Sequence, residues 1–173
     1  DFGSGPRPIE GFKGVDIAPG VTDFTFDLVS GKKFPWPDNS VDAAHSSHFI
    51  EHVKNDYIWC EDDEGKMTIY KDALFYFFDE VYRVLKPGAT FTVIWPALQN
   101  SRAFQDLTHR RFMPPQMIAY LSIEGRKQMG VDHYNVKCDF IGTVQPTIMQ
   151  HESIRSAEVQ TQRYLELWGV AQD

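Results

Sequence analysis

A chain of 173 residues is one domain's worth, and its 42% hydrophobic and 24% charged residues are ordinary for a globular protein with a real core. Net charge is −7, from 17 Lys and Arg against 24 Asp and Glu, which argues against a general nucleic-acid binder because no basic face is available to replace counterions. No apolar run approaches the roughly 20 residues of a membrane span and no signal peptide is visible; Cys60 and Cys138 could form one disulfide, but two unpaired thiols in a reducing, cytoplasmic setting is the simpler reading.

The first half alternates short apolar runs with turns. Gly14-Val15-Asp16-Ile17 is a brief strand pattern that stops before Pro19-Gly20. Phe24 to Leu28 is the next, halted by Ser30-Gly31-Lys32-Lys33, and Val41 to His45 follows the turn Pro37-Asp38-Asn39-Ser40. An acidic cluster, Glu61 to Glu64, falls in an expected solvated loop over Asn55 to Lys66. From Thr68 to Leu85 the apolar residues Tyr70, Ala73, Leu74, Phe77, Phe78, Val81, Tyr82 and Leu85 keep a helical period, which Lys86-Pro87-Gly88 ends. Ala89 to Trp95 is the strongest strand, β-branched and aromatic, closed by Pro96. Strand, helix and strand in this order predict a βαβ unit with parallel pairing. A second helix is expected from Pro114-Pro115 to about Leu121. Tyr134 to Met149 reads as strand with a turn at Pro146. Ser156 to about Leu167 carries helical signals, although Tyr164 to Val170 suits a strand equally.

Two stretches carry chemistry. Residues 45 to 52, HSSHFIEH, contain His48-x-x-Glu51-His52, the inverted zinc-peptidase pattern, with both histidines on one face if the segment is helical. Such a site needs a third ligand, and Glu124 is a candidate. The other stretch opens the chain, Asp1-Phe2-Gly3-Ser4-Gly5-Pro6-Arg7-Pro8. Gly3 and Gly5 allow positive φ and close approach to a ligand. Asp16 ends the next strand, where a carboxylate can accept from both ribose hydroxyls. Pro6 and Pro8 break up the helix that would face a pyrophosphate, so a nucleoside ligand without phosphate, such as S-adenosylmethionine, fits better than a dinucleotide.

These stretches resemble class I S-adenosylmethionine-dependent methyltransferases, including small bacterial and phage members. DFGSGP is similar to the family's acidic-x-Gly-x-Gly motif, and GVDI to its second strand with the ribose-binding acid. FDLVSGKKFPWPDNSVDAAHSSHFIEHV resembles the third and fourth strands, and EVYRVLKPGATFTVIWP the helix, turn and strand that close the core. DLTHRRFMPP is like a segment after that strand. The resemblance spans about residues 1 to 121.

It implies a Rossmann-like three-layer α/β/α fold with a mostly parallel sheet, as a single methyltransferase-like domain over residues 1–173. The family's sheet has seven strands, of which five or six are found here. The first, upstream of residue 1, is lacking, and the C-terminal part is short by a strand. By the same resemblance Gly3 and Gly5 approach the methionine moiety and Asp1 stands near its amino group. Asp16 holds the ribose, and Ile17 packs beside adenine. Asp27 and Leu28 contact the adenine edge, and Ser46 and Ser47 meet the methionine end.

His109 and Asp106, after the last core strand, are the candidate bases, with His48 behind them. Arg110 or Arg111 could bind an anionic acceptor. The acceptor itself is expected to be a small molecule or a glycan hydroxyl, with neither nucleic acid nor membrane as partner. No metal is expected, because a sulfonium methyl is already a good electrophile. Two other classes remain: a non-catalytic nucleoside-binding or scaffold protein, and a zinc hydrolase built on His48, Glu51 and His52.

Overall fold

A computed structural model describes residues 1–148 and 163–171, with only the backbone described for 146–148 and 163–171. Eight strands are present among these residues. The first two are β1 (Val15–Asp16) and β2 (Phe24–Thr25), which pair in parallel. Next comes β3 (Val41–Ser47), followed by the antiparallel hairpin of β4 (Tyr57–Glu61) and β5 (Met67–Asp72). Helix α1 (Ala73–Val84) leads into β6 (Leu85–Pro96), which lies parallel to β3. After the short helices α2 (Arg102–Gln105) and α3 (Ile123–Gln128), the chain adds β7 (Phe140–Ile148) and β8 (Arg163–Ala171).

Strand order in the larger sheet is β3-β6-β8-β7, with β8 antiparallel to both neighbours. The β1–β2 pair joins this sheet through Phe2, which bridges in parallel to Val15 while its N–H donates to the His45 carbonyl at 2.8 Å. The result is a Rossmann-like α/β architecture in which β8 alone runs against the rest. β7 and β8 supply the two C-terminal strands of this sheet. The central position between β1 and β3 holds only Asp1 and Phe2 among the described residues. Beside them lies a cavity of about 530 Å³ bordered by Val15, Phe24, Trp36 and Val41 to Ala44.

The predicted βαβ unit is present, but its helix begins five residues late. Thr68 to Asp72 belong to the hairpin, because β-branched and aromatic residues there pair with Tyr57 to Glu61. Tyr70 consequently points outward, stacked near Tyr57 and Trp59. The acidic segment is a built turn rather than a loose loop. Asp62 Oδ1 accepts from the N–H groups of Glu64 and Lys66, Oδ2 accepts the Thr68 hydroxyl, and Gly65 supplies φ +76°. Asp72 caps α1 by accepting from the Leu74 and Phe75 N–H groups.

The core forms where α1 meets β3 and β6, around Phe77, Phe78, Val81, Phe91, Trp95 and Phe140. Asp79 is also buried in α1. It pairs with Lys71 and accepts from the N–H groups of Lys137 and Cys138, both at 2.8 Å. Cys60 and Cys138 are free and buried, and burial pushes the Cys60 thiol up to about 11. The helix expected near Pro114 is a 3-10 helix over Pro115–Leu121. Pro146 sits inside β7, opposite Leu165, and makes no turn. Its missing N–H is tolerated because β7 is the edge of the four-stranded sheet. Residues 149 and 156–162 of the predicted C-terminal elements lie outside the described residues, and Tyr164 to Val170 is strand.

Candidate active site

The ends of Phe2, β1, β3 and β6 meet along one edge of the sheet. Here the chain crosses from the β1–β2 side to the β3–β6 side, the kind of position at which open α/β sheets bind ligands. The loop Gly3-Ser4-Gly5 leaves from this point. Gly3 stands at φ +70°, and a Cβ there would meet the Phe49 ring at 2.4 Å. Its N–H donates to the Val15 carbonyl at 2.8 Å. Gly5, at φ +54°, donates its N–H to Asp16 Oδ2 at 2.9 Å, while Asp16 Oδ1 accepts from Ala18 at 3.0 Å. Asp16 thus ties the glycine loop to the end of β1, and each oxygen keeps a further lone pair.

The other expected cofactor residues fall into two groups. Ile17 is 63% exposed next to Asp16, and Ser47 is half-buried at the end of β3. Asp27 is half-buried, with Oδ1 accepting from Val29 N–H. Leu28, in contrast, places its side chain in the core. Ser46 is fully buried and donates its hydroxyl to the Phe2 carbonyl at 2.9 Å. The Asp1 carboxylate faces His45 Nδ1 at 2.9 Å and accepts from Ile9 N–H at 2.9 Å, which makes it a brace for the loop.

Beyond β6 lies a cavity of about 590 Å³ lined by His48, Pro96, Arg102, Gln105, Asp106, Leu107 and His109. The structure therefore brings His48, Asp106 and His109 together. The N–H groups of Arg110 and Arg111 fasten this loop by donating to the Glu51 carbonyl at 2.7 and 3.0 Å. His109 Nδ1 lies 2.8 Å from the Ala103 carbonyl, its Nε2 lies 3.9 Å from Asp106 Oδ2, and its ring stands edge-on to His52. Hydrogen bonding from the Thr108 side chain, first among several causes, holds the Asp106 carboxyl below its ordinary range. Arg111 binds the Val53 and Lys54 carbonyls and Asp72 Oδ2, so its guanidinium serves the scaffold. Arg110 is exposed. Arg102 was not expected at the site. Its only sequence signal is its position shortly after Pro96, where the chain leaves the last core strand at this edge of the sheet.

His48 and His52 do not share a helical face. The segment makes only a single 3-10 turn, Ile50–His52, and His48 precedes it at φ +54° with Nδ1 3.0 Å from Glu51 Oε1. Glu124 belongs to α3, borders a different cavity and accepts from Gln128. The inverted-peptidase arrangement is therefore not favoured.

Residues 12–93 match the family model of a methyltransferase domain. A search of curated protein sequences finds no match. Among solved structures, an S-adenosylmethionine-dependent methyltransferase from Archaeoglobus fulgidus is similar at TM-score 0.58 and 16% identity, over 98% of this chain and 84% of that one. A possible histamine N-methyltransferase from Thermotoga maritima is similar at TM-score 0.58 and 14% identity, over 99% and 80%. A Haemonchus contortus phosphoethanolamine N-methyltransferase, solved with phosphomonomethylethanolamine and S-adenosylhomocysteine, is similar at TM-score 0.53 and 14% identity, over 100% and 48%. At these identities the solved structures speak for the fold alone. Residues 12–93 are thus similar to a methyltransferase domain, on a fold shared with S-adenosylmethionine-dependent methyltransferases.

Proposed function

We propose that this chain transfers a methyl group from S-adenosylmethionine to the hydroxyl of a small molecule or glycan bound beyond β6. The observation that carries the reading is the Gly3–Gly5 loop held by Asp16 at the same sheet edge that opens into the Asp106–His109 cavity. In this reading Gly3 and Gly5 let the backbone approach the methionine moiety, with Asp1 bracing the loop near its amino group. Asp16 accepts from the ribose hydroxyls. Ile17 covers adenine, and Asp27 and the Leu28 backbone border its edge. Ser47, with Ser46 behind it, faces the methionine end.

Methyl transfer is an in-line displacement, so the chain's work is to hold donor carbon and acceptor oxygen about 3 to 3.5 Å apart and aligned. As the new C–O bond forms and the C–S bond breaks, the hydroxyl must lose its proton. His109, backed by Asp106, stands where it can draw that proton, and Arg102 adds positive charge for an acceptor bearing an anionic group. Among the described residues no helix is long and apolar enough to cross a membrane. The two buried free thiols suit a reducing cytoplasm.

Calorimetric titration with S-adenosylhomocysteine tests the cofactor half directly, and transfer of labelled methyl to a panel of hydroxylated acceptors tests the other. A folded protein that binds no S-adenosylhomocysteine would end the reading.

A further inference from the structure

We infer that Glu51, His52 and His109 form a binding site for a borderline divalent transition-metal ion, such as zinc, placed to hold the oxygen of the methyl acceptor. A carboxylate oxygen of Glu51 and one ring nitrogen from each histidine lie within 4.8 Å of one another. These residues come from two loops, Glu51 and His52 after β3 and His109 after β6, and His109 lines the cavity beyond β6.

The hydrogen bonds around the cluster decide which nitrogens carry protons. The Ala103 carbonyl can only accept, so His109 Nδ1, 2.8 Å away, must be the donor. In a neutral ring this leaves the lone pair on Nε2. Thr108 gives its only hydroxyl proton to Asp106 Oδ1 at 2.7 Å, since a carboxylate has none to give. Its oxygen therefore accepts from His52 Nδ1 at 3.0 Å, and the His52 lone pair is likewise on Nε2. Each ring is thus held as a metal-ligating histidine is, with the far nitrogen donating to a fixed oxygen that sets the tautomer.

Glu51 adds an independent sign. It is 1% exposed, and its Oε2 has no hydrogen-bond partner among the described residues, although Oε1 is met by His48 Nδ1. A buried carboxylate oxygen without a partner is costly, and a bound cation would satisfy it. Two imidazoles and one carboxylate suit zinc, iron, cobalt or manganese better than calcium or magnesium, which prefer oxygen.

The inference rests on reading this cavity as the acceptor side. With the ion bound, His109 Nε2 acts on the acceptor through the metal. An ion held by these residues would ease loss of the acceptor hydroxyl's proton to water, so that its oxygen could take the methyl group as neutral S-adenosylhomocysteine leaves. This departs from the expectation of no metal, and the departure comes from His109, which the sequence places far from Glu51 and His52.

The test begins with chelator-treated protein titrated with zinc by calorimetry and with cobalt by visible absorption. Saturation at one equivalent and a cobalt spectrum of an N,O-ligated site are expected. Both should be lost in His52→Ala, His109→Ala and Glu51→Gln and kept in His133→Ala. Thr108→Val, which removes the oxygen that orients His52 together with its bond to Asp106, should weaken zinc by about 10- to 100-fold. S-adenosylhomocysteine titrated into the metal-free protein reports folding and the cofactor site separately, and its binding should survive chelation. Lack of saturable zinc binding in protein that still binds S-adenosylhomocysteine would overturn the metal site and leave the methyltransferase reading standing. Zinc binding unchanged in all three ligand variants would overturn it equally.

Discussion

Asp16 offers a direct test of the cofactor site, because its contributions to the loop and to the ribose can be separated. Its two oxygens already accept from Gly5 N–H at 2.9 Å and Ala18 N–H at 3.0 Å, and in the proposed role they also accept two ribose hydroxyls. Hydrogen bonds to a charged group are worth about 1.5 to 3 kcal/mol each, so the ribose pair alone contributes about 3 kcal/mol at the lower end. At 1.4 kcal/mol per tenfold, Asp16→Ala should weaken S-adenosylhomocysteine by about 100-fold, and by at least about tenfold if water takes over part of the bonding. The loss of the Gly5 and Ala18 partners appears separately as a lower melting temperature without ligand. Asp16→Asn keeps the volume but turns an amide N–H toward Gly5 or Ala18, donor against donor, so it should recover little of the affinity. The assay is calorimetric titration of all three proteins, with circular dichroism to establish that each is folded. A folded Asp16→Ala protein whose affinity stays within about threefold of the parent would refute the ribose assignment.

Gly3→Ala forces a Cβ into the Phe49 ring and also meets the left-handed backbone cost of about 1–2 kcal/mol, whereas Gly5→Ala meets only the second because nothing lies within 4 Å. Thermal melts should rank Gly3→Ala well below Gly5→Ala, and equal melts would contradict the close approach. Arg111→Ala releases the Val53 and Lys54 carbonyls and Asp72, so stability should fall by about 1–3 kcal/mol in urea unfolding while S-adenosylhomocysteine affinity holds. Asp79→Ala strands Lys71, which is 5% exposed, and should cost about 3–5 kcal/mol; a loss under about 1 kcal/mol would show that the buried pair matters little. The Asp62 carboxyl is held below its ordinary 3.8, chiefly by the Thr68 hydroxyl, so its native form takes up protons less readily than the unfolded one. Its contribution to the hairpin is full above 3.8 and is lost as pH falls through the lower native value. Carboxyl NMR of Thr68→Val should show the Asp62 titration moving up toward 3.8, and an unmoved titration would refute the assignment.

Much of the fold was legible because the local signals agree with one another. The run Ala89 to Trp95 has one plausible conformation, and the glycines at 3 and 5 followed by Asp16 at a strand end allow few other uses. The region from Thr68 to Asp72 was misread because its apolar residues satisfy a helical and an alternating period at once. Pairing with Tyr57 to Glu61, set by the Asp62 turn, settles the matter in favour of strand. Pro146 was read as a turn for a similar reason, since its tolerance in β7 depends on that strand lying at an edge.

By itself the sequence carried the reading of a methyltransferase-like domain and of its proposed cofactor end, because these rest on backbone freedom at Gly3 and Gly5 and on a strand that ends in a carboxylate. Only the tertiary structure assembled the proposed acceptor end. There Glu51 and His52 meet His109 across more than half a hundred residues of intervening chain, Arg111 turns inward to Asp72, and Arg102 enters the cavity. Local spacing governs which groups share a turn or a strand, but groups on separate loops meet only where the parallel strands carry those loops to one edge of the sheet.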